Sequence, residues 1–504
     1  MAGIDFLLIA EISTMGYALI GLILVAGFFV AWNIGANDVA NAMGTSVGSG
    51  ALTLRRAVIL AAICEFAGAF IVGSNVSETV RKKMFDPSLI TETYGADAPF
   101  ILACGMTAAL LAAGTWLLIA TWMSWPVSTT HSIVGAVVGF GCVALGFSGI
   151  EWDKVTLISA GWIISPLISG TIAYLLFGII LRTVFYKRNP VRAAKRTAPW
   201  LAAITLFVMT GMTAFKGLKS VWKARDMDAE SVGFMLIVAG IASVIAAITF
   251  AITRRMVRDI QEAPDGDVSN PVLDADVSRS LAKALMHLKR VQNSAQQEEV
   301  RETADELSKV VEKLRDESAS NIVANTDSSE LRKVERIFVV LQILTACLVA
   351  FAHGANDVAN AIGPLSAAFQ AVYNGVIEAK ATTPWWALLL GGAGIVIGLA
   401  TWGWRVIRTV GEKITELTPS RGFCAEFAAA ITILLASILP IGLPISTTHT
   451  LVGAVLGVGL ARGINALNLK VMRDIVAGWI ITIPAGASLA VLYYYILKSI
   501  FVAG

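Results

Sequence analysis

The polar residues that could do chemistry in this sequence fall in two motifs, and each motif occurs twice. The string Gly-Ala-Asn-Asp-Val-Ala-Asn-Ala runs over 35–42 and again over 354–361. It places Asn37, Asp38 and Asn41 in one apolar segment and Asn356, Asp357 and Asn360 in another. A carboxylate at membrane depth costs on the order of 3 kcal/mol even on a lenient insertion scale, so it needs a cation, a proton or an aqueous cavity beside it. Asn37 and Asn41, four residues apart, share one helix face, with Asp38 adjacent. Gly35 and Gly44 bracket the first segment, and Gly354 and Gly363-Pro364 bracket the second. These are expected to let the helix unwind and free backbone carbonyls. Carbonyls, amide oxygens and a carboxylate are hard oxygen ligands, the kind that hold an alkali cation.

The second motif is Pro-Val-Ser-Thr-Thr-His from Pro126 and Pro-Ile-Ser-Thr-Thr-His from Pro444. Ser128, Thr129 and Thr130, and again Ser446, Thr447 and Thr448, stand where a new helix begins. A hydroxyl there caps the helix, and the free N–H groups of the first turn point outward, which makes an anion site. Ordinary capping accounts for one hydroxyl per helix, not for three in a row used twice. His131 and His449 close the two motifs. They are secondary candidates for taking protons or touching substrate, because a lone histidine that orients a loop is the commoner case.

Two more acids lie in apolar runs, Glu65 in Cys-Glu-Phe-Ala-Gly and Glu426 in Cys-Ala-Glu-Phe-Ala. An unpaired intramembrane glutamate marks a functional site by default; the alternative is a structural hydrogen bond to a neighbouring helix. His353 precedes the second Gly-Ala-Asn-Asp where Ile34 precedes the first, an asymmetry that argues against an essential role for it. No Lys or Arg lies near either motif within the apolar runs. A bound oxyanion would therefore meet two aspartates with no fixed positive charge, and like charges in low dielectric repel. Cations must accompany the anion, or the carboxylates must be protonated. The residues thus argue for cation-coupled symport.

The elements that position these residues follow from composition. The chain has 504 residues, 56% hydrophobic and 15% charged. About a quarter charged is usual for a soluble domain, so the chain reads as an all-α polytopic membrane protein. Long apolar runs lie near 17–42, 57–76, 99–122, 157–181, 199–217, 232–253, 337–362, 385–404, 422–441 and 474–498, with shorter ones near 132–149 and 446–461. They predict about twelve transmembrane helices, some broken or re-entrant. The first motif recurs at an offset of 319 residues and the second at 318, in the same order. That is an internal duplication, and the crossing count makes it an inverted-topology repeat with its polar pieces meeting at the midplane. The expected domains are a first membrane half over 1–253, a soluble insert over 254–336 and a second membrane half over 337–504.

The insert opens with a Pro-Asp-Gly turn signal at 264–266. Leu281, Leu285, Leu288 and Val291, then Val300, Leu307, Val310, Val311 and Leu314, recur at helical spacing. One or two amphipathic helices are expected, chiefly as a linker. The loop 182–198 carries Arg182, Lys187, Arg188, Arg192, Lys195 and Arg196 with no acid, which places it and the insert on the cytoplasmic side. Both termini then fall outside, and Arg405, Arg408 and Lys413 inside; Arg81, Lys82 and Lys83 disagree by falling outside. The acidic N-terminus, with Asp5 and Glu11, lacks the basic start of a cleaved signal peptide and reads as a retained helix. The five cysteines stand singly, so neither a disulfide frame nor a zinc site is expected. There is no nucleophile–base pair, metal cluster or nucleotide motif to suggest an enzyme, and nothing to suggest nucleic-acid binding.

With both motifs doubled, the sequence closely resembles the inorganic phosphate transporter (PiT) family, which includes sodium–phosphate symporters. The resemblance covers nearly the whole membrane part, including the strings TLRRAVILAAICEFAG, VSETVRKKMFD and ERIFVVLQILTACLVAFAHGANDVANAIGPL. It implies an inverted-repeat fold in the cell membrane, a homodimer, and inorganic phosphate held between the two Ser-Thr-Thr helix starts. Asp38 and Asp357 would serve sodium and phosphate, supported by Asn37, Asn41, Asn356 and Asn360. Ser128, Thr129, Thr130, Ser446, Thr447 and Thr448 would hold phosphate oxygens, with Thr130 and Thr448 also at cation sites. Glu65 and Glu426 match acids the family uses. Asn-Asp in both copies resembles the sodium-coupled members, so phosphate import by sodium symport is the expectation, with no other cofactor. A proton-coupled phosphate permease, or a permease for sulfate or another oxyanion, is the alternative; a phosphate-sensing receptor has only the insert in its favour.

Overall fold

The computed structural model describes residues 13–72, 85–223, 232–262, 271–295, 297–325, 329–377, 383–407, 416–438, 445–463 and 467–502. Asp5, Glu11, Arg81, Lys82, Lys83, the 264–266 turn signal, Arg408, Lys413 and Pro444 lie outside them. The described residues are helical with short connections and hold no strand, only an isolated bridge between Phe85 and Ile150. Nine helical stretches among them are long and apolar enough to cross a membrane. The helix Leu54–Val72, read as a spanning run from sequence, is not one of the nine; it carries Arg55, Arg56 and Glu65. The protein is an all-α polytopic membrane protein.

The chain divides into two compact units, one made of 1–175, 205–244 and 342–504 and the other of 176–204 and 245–341. The first unit holds both motifs. Helix α1 (Thr14–Asn37) starts under Ser13, whose hydroxyl accepts from the Gly16 N–H at 3.1 Å. It stops at Asp38, and α2 (Val39–Gly48) continues from there. Then follow α3 (Leu54–Val72), the short α4 (Pro87–Tyr94), α5 (Ala98–Trp122), α6 (Thr129–Leu145), α7 (Trp152–Ile180), α8 (Pro190–Lys223) and α9 (Val232–Arg258). The second motif pair sits on α12 (Ser329–Asn374) and α15 (Thr447–Arg462), with α13 (Trp385–Trp402), α14 (Pro419–Ile438) and α16 (Leu469–Phe501) around them.

The expected unwinding at both Asn-Asp segments is not what the helices do. The first copy is interrupted at a single residue, Asp38, whose N–H still donates to the Ile34 carbonyl at 2.8 Å. The second copy lies inside the 46-residue α12 with no break at all, despite Pro364. The glycines have another task. A Cβ on Gly35 would collide with the Ile395 carbonyl oxygen of α13, and one on Gly354 with the Glu65 carbonyl oxygen of α3. They admit a neighbouring backbone rather than loosen their own.

These contacts come in matched pairs. Gly398 of α13 abuts the Trp32 carbonyl, and Gly68 of α3 abuts the Phe351 carbonyl. Likewise Gly135 and Gly139 of α6 face Ile483 and Ala487 of α16, while Gly453 and Gly457 of α15 face Pro166 and Gly170 of α7. Each half packs its motif helices by the same close approaches.

In the second unit, α10 (Pro271–Ser294) and α11 (Glu298–Asn325) form a hairpin, tied near its turn by Gln292 donating to Asp305 at 3.0 Å. Arg192 and Lys195, at the start of α8, clasp Glu262 at 2.9 and 3.0 Å.

Candidate functional site: opposed helix starts around two aspartates

Helices α6 and α15 are 17 and 16 residues long. At 1.5 Å per residue each spans about 25 Å, short of the ~30 Å hydrocarbon core. Their N-termini are butted against one another. Thr448 Oγ1 donates to the Val127 carbonyl at 3.2 Å, and Thr130 Oγ1 to the Ile445 carbonyl at 3.5 Å. Ser128 and Ser446 are the N-caps, accepting from the N–H groups of His131 (3.2 Å) and His449 (3.1 Å). Thr129, Thr130, Thr447 and Thr448 open the two first turns, where backbone N–H groups have no intrahelical carbonyl. All six hydroxyl residues are buried. Two positive helix ends therefore converge on one enclosed place.

The Asn-Asp segments reach these starts crosswise. Asn41 of the first copy donates to Thr448 at 2.7 Å, and Asn360 of the second donates to Thr130 at 3.3 Å. Asp357 accepts from Thr447 at 2.8 Å, and Asp38 from Thr448 at 3.4 Å. One ligand atom each from Asp38, His353 and Asp357 lie within 4.8 Å of one another, so the two aspartates are neighbours. The halves differ in how well they are satisfied. Asp357 also accepts from Asn356 at 2.8 Å and meets His353. Asp38 Oδ2, Asn41 Oδ1 and Thr129 Oγ1 are buried without a hydrogen-bond partner. The carboxylate and amide oxygens of Asp38 and Asn41 are hard donors of the kind that suit a monovalent cation. Asn37 is differently employed: it donates to Thr121 (2.9 Å) and to the Trp125 carbonyl (3.1 Å), and accepts from the Val127 N–H (3.2 Å). It fixes the stretch of chain that delivers Ser128.

His353 is where the sequence reading falls short. The missing counterpart in the first copy argued against a role, yet its Nδ1 lies 3.1 Å from Glu65 Oε1 and its Nε2 2.8 Å from Asp357 Oδ2, all fully buried. The asymmetry is shared. Glu65 approaches Gly354 where Ile395 approaches Gly35, so His353 and Glu65 replace the buried pair Ile34 and Ile395 together. A histidine and a glutamate each lacking a counterpart was the available signal. The line Glu65–His353–Asp357–Asp38 carries three carboxyl groups and one imidazole.

Glu426 is separate from that line. Its carboxylate accepts from Thr45 (2.5 Å), Ser46 (2.7 Å), Thr345 (2.6 Å) and Gln342 (3.4 Å). Thr45 lies one turn past Asn41, so this oxygen cluster is joined to the central one through α2. His131 and His449 meet edge to face at 4.3 Å between ring centroids, flanked by Trp162 at 3.8 Å and Trp479 at 3.6 Å. His449 Nδ1 is 3.2 Å from the Trp162 carbonyl. The rings pack behind the helix starts and brace them. A cleft of about 180 Å³ lined by Ser124, Trp125, Pro126, Asp474 and Gly478 lies beside the first start.

Comparison with known proteins shows the family of the chain. The family model described as "Phosphate transporter family" matches residues 34–490. The chain belongs to the phosphate transporter family. A putative phosphate permease of Chlamydia pneumoniae is 43% identical over 488 residues, covering 96% of this chain and 99% of the relative. The chloroplastic inorganic phosphate transporter 2-1 of Arabidopsis thaliana is 42% identical over 479 residues, covering 95% of this chain and 72% of the relative. A solved structure, described as "The sodium-dependent phosphate transporter", aligns with a TM-score of 0.73 and 35% identity, covering 96% of this chain and 100% of its own. This transporter is a multi-pass membrane protein and not an enzyme.

Proposed function

We propose that the transporter imports inorganic phosphate by symport with sodium. Phosphate sits between the two opposed helix starts, its oxygens meeting first-turn N–H groups and the hydroxyls of Ser128, Thr129, Thr130, Ser446, Thr447 and Thr448. Sodium lies at the Asn-Asp segments, with Asp38, Asn41 and Thr448 on one side and Asp357, Asn360 and Thr130 on the other. Asn37 and Asn356 hold those segments in place. The observation that carries the reading is the pair of unpartnered buried oxygens, Asp38 Oδ2 and Asn41 Oδ1, on the segment that meets the paired helix N-termini. An anion beside two carboxyl groups, with no Lys or Arg among the described residues of the site, needs compensating cations, and Asp38 and Asn41 offer the oxygens to hold one.

The crosswise bonds support an inverted repeat. Thr448 reaches back to Val127 as Thr130 reaches to Ile445, so each helix start contacts the residue before the other's cap in the same way. Such symmetry about a central site is what alternating access requires. Glu426, with its three hydroxyls and an amide, links movement of α2 to α12 and α14. The sodium coupling also agrees with the sodium dependence ascribed to the solved relative. The test is uptake of labelled phosphate into proteoliposomes under imposed sodium or proton gradients. Stimulation by sodium, and competition by phosphate but not sulfate, is expected. Uptake that follows only the proton gradient would overturn the coupling, and equal competition by sulfate would overturn the substrate.

A further inference from the structure

The hairpin of the second unit has one face wider than its own two helices cover. On α11 the covered positions are Ala304 and Ser308, 4% and 6% exposed. Beside them run Val300, Leu307, Val310 and Leu314, which are 42%, 49%, 55% and 47% exposed. Their spacing of seven, three and four residues is that of a coiled-coil seam, with Thr303 at the intervening position. At about 100° per residue they fall on one side of the helix, next to the side that meets α10.

We propose that this stripe pairs antiparallel with the same stripe of a second copy of the chain. With the two-fold axis between Leu307 and Val310, Leu307 of one copy faces Val310 of the other, and Leu314 faces Thr303. Glu306 and Lys313 stand at the same place in successive heptads, just before Leu307 and Leu314. Antiparallel pairing brings Glu306 of each copy against Lys313 of the other, so two opposite-charge contacts flank the seam. Parallel pairing would set Glu306 against Val311 and gain neither. An isologous contact of this kind is self-complementary and closes at two copies. A lipid surface fits the stripe poorly. Residues 298–317 hold eight acids against four bases, and an anionic leaflet attracts polybasic, not acidic, segments.

The test uses the full-length transporter in native membranes with a short bismaleimide cross-linker. Val310→Cys should give a dimer band that the parent protein and Glu302→Cys, on the far side of α11, do not. In the Val310→Cys background, Glu306→Lys alone or Lys313→Glu alone should lower the dimer yield, and the two together should restore it. A Val310→Cys yield no higher than that of Glu302→Cys would overturn the pairing. So would cross-linking to a different protein, and failure of the double exchange to restore the yield would overturn the antiparallel register.

Discussion

Replacing His353 by isoleucine tests the buried asymmetry of the site. The imidazole is within 3.1 Å of Glu65 and 2.8 Å of Asp357. Without it, Asp357 keeps Asn356 and Thr447. Glu65 keeps no other hydrogen-bond partner among the described residues. Breaking a buried pair from one side costs about 3–5 kcal/mol, because a charge is stranded. Replacing both members by apolar residues of similar volume is often neutral or stabilising by about 1–4 kcal/mol. The first half already shows the apolar solution, since Ile34 and Ile395 occupy the equivalent places. His353→Ile should therefore destabilise strongly, and His353→Ile with Glu65→Ile should recover most or all of the loss. Melting of the purified protein in detergent reads the stability, and proteoliposome uptake is measured alongside. A double variant that melts as low as the single would refute the reasoning, as would a single variant that melts like the parent.

Other expectations follow from the same contacts. Thr448→Val removes the acceptor of Asn41 and the single O–H that Val127 (3.2 Å) and Asp38 (3.4 Å) share, at a cost of about 1–3 kcal/mol. Thr130→Val loses only contacts of 3.3 and 3.5 Å and should cost less; the reverse ranking in melting would contradict the bonding described. Gly354→Ala and Gly35→Ala drive a Cβ into a neighbouring carbonyl and should each cost about 1–3 kcal/mol. Gly21→Ala, with nothing within 4 Å, should melt no lower than the parent; equal losses at all three positions would refute the packing role. Outside the membrane, hydrogen bonds from Arg192 and then Lys195 hold the Glu262 carboxyl below the usual range. The sign for a depressed acid is that its contribution is full above the ordinary value of about 4.3 and is lost as pH falls through the lower folded value. The clasp is partly exposed and contributes under about 1 kcal/mol. Hydrogen exchange over 190–196 should rise on acidification in the parent and be already raised at neutral pH in Glu262→Gln; no difference at neutral pH would contradict it.

Much of this site was legible in the sequence because its parts are polar residues in apolar runs, where chance and stability both disfavour them. Asp38, Asp357 and the two Ser-Thr-Thr helix starts stood out for that reason, and the structure brings them together. Other parts depended on pairing that spacing does not reveal. Nothing local says that Asn41 meets Thr448, 407 residues away. Gly354 reads as a flexible point until the Glu65 carbonyl is seen against it. His353 was discounted by comparing the two copies of one motif, whereas the informative comparison was of two positions on different helices. Asn37 and Asn41 look alike along the helix, yet one supports a loop and the other touches the opposed helix start. The insert's helical period fixed its two helices, but which half of the apolar face is covered depends on how they pack.

Sharing of one site by phosphate and sodium, with Asp38 and Asp357 between them, is tested most directly by the phosphate affinity of the purified transporter. It is titrated by calorimetry at increasing sodium, with choline as replacement. Sodium should tighten phosphate, and phosphate should tighten sodium by the same factor, since coupling of binding is reciprocal. Asp38→Asn and Asp357→Asn should keep the protein folded while removing that linkage. Phosphate affinity that is indifferent to sodium, or linkage that survives in both variants, would contradict the shared site.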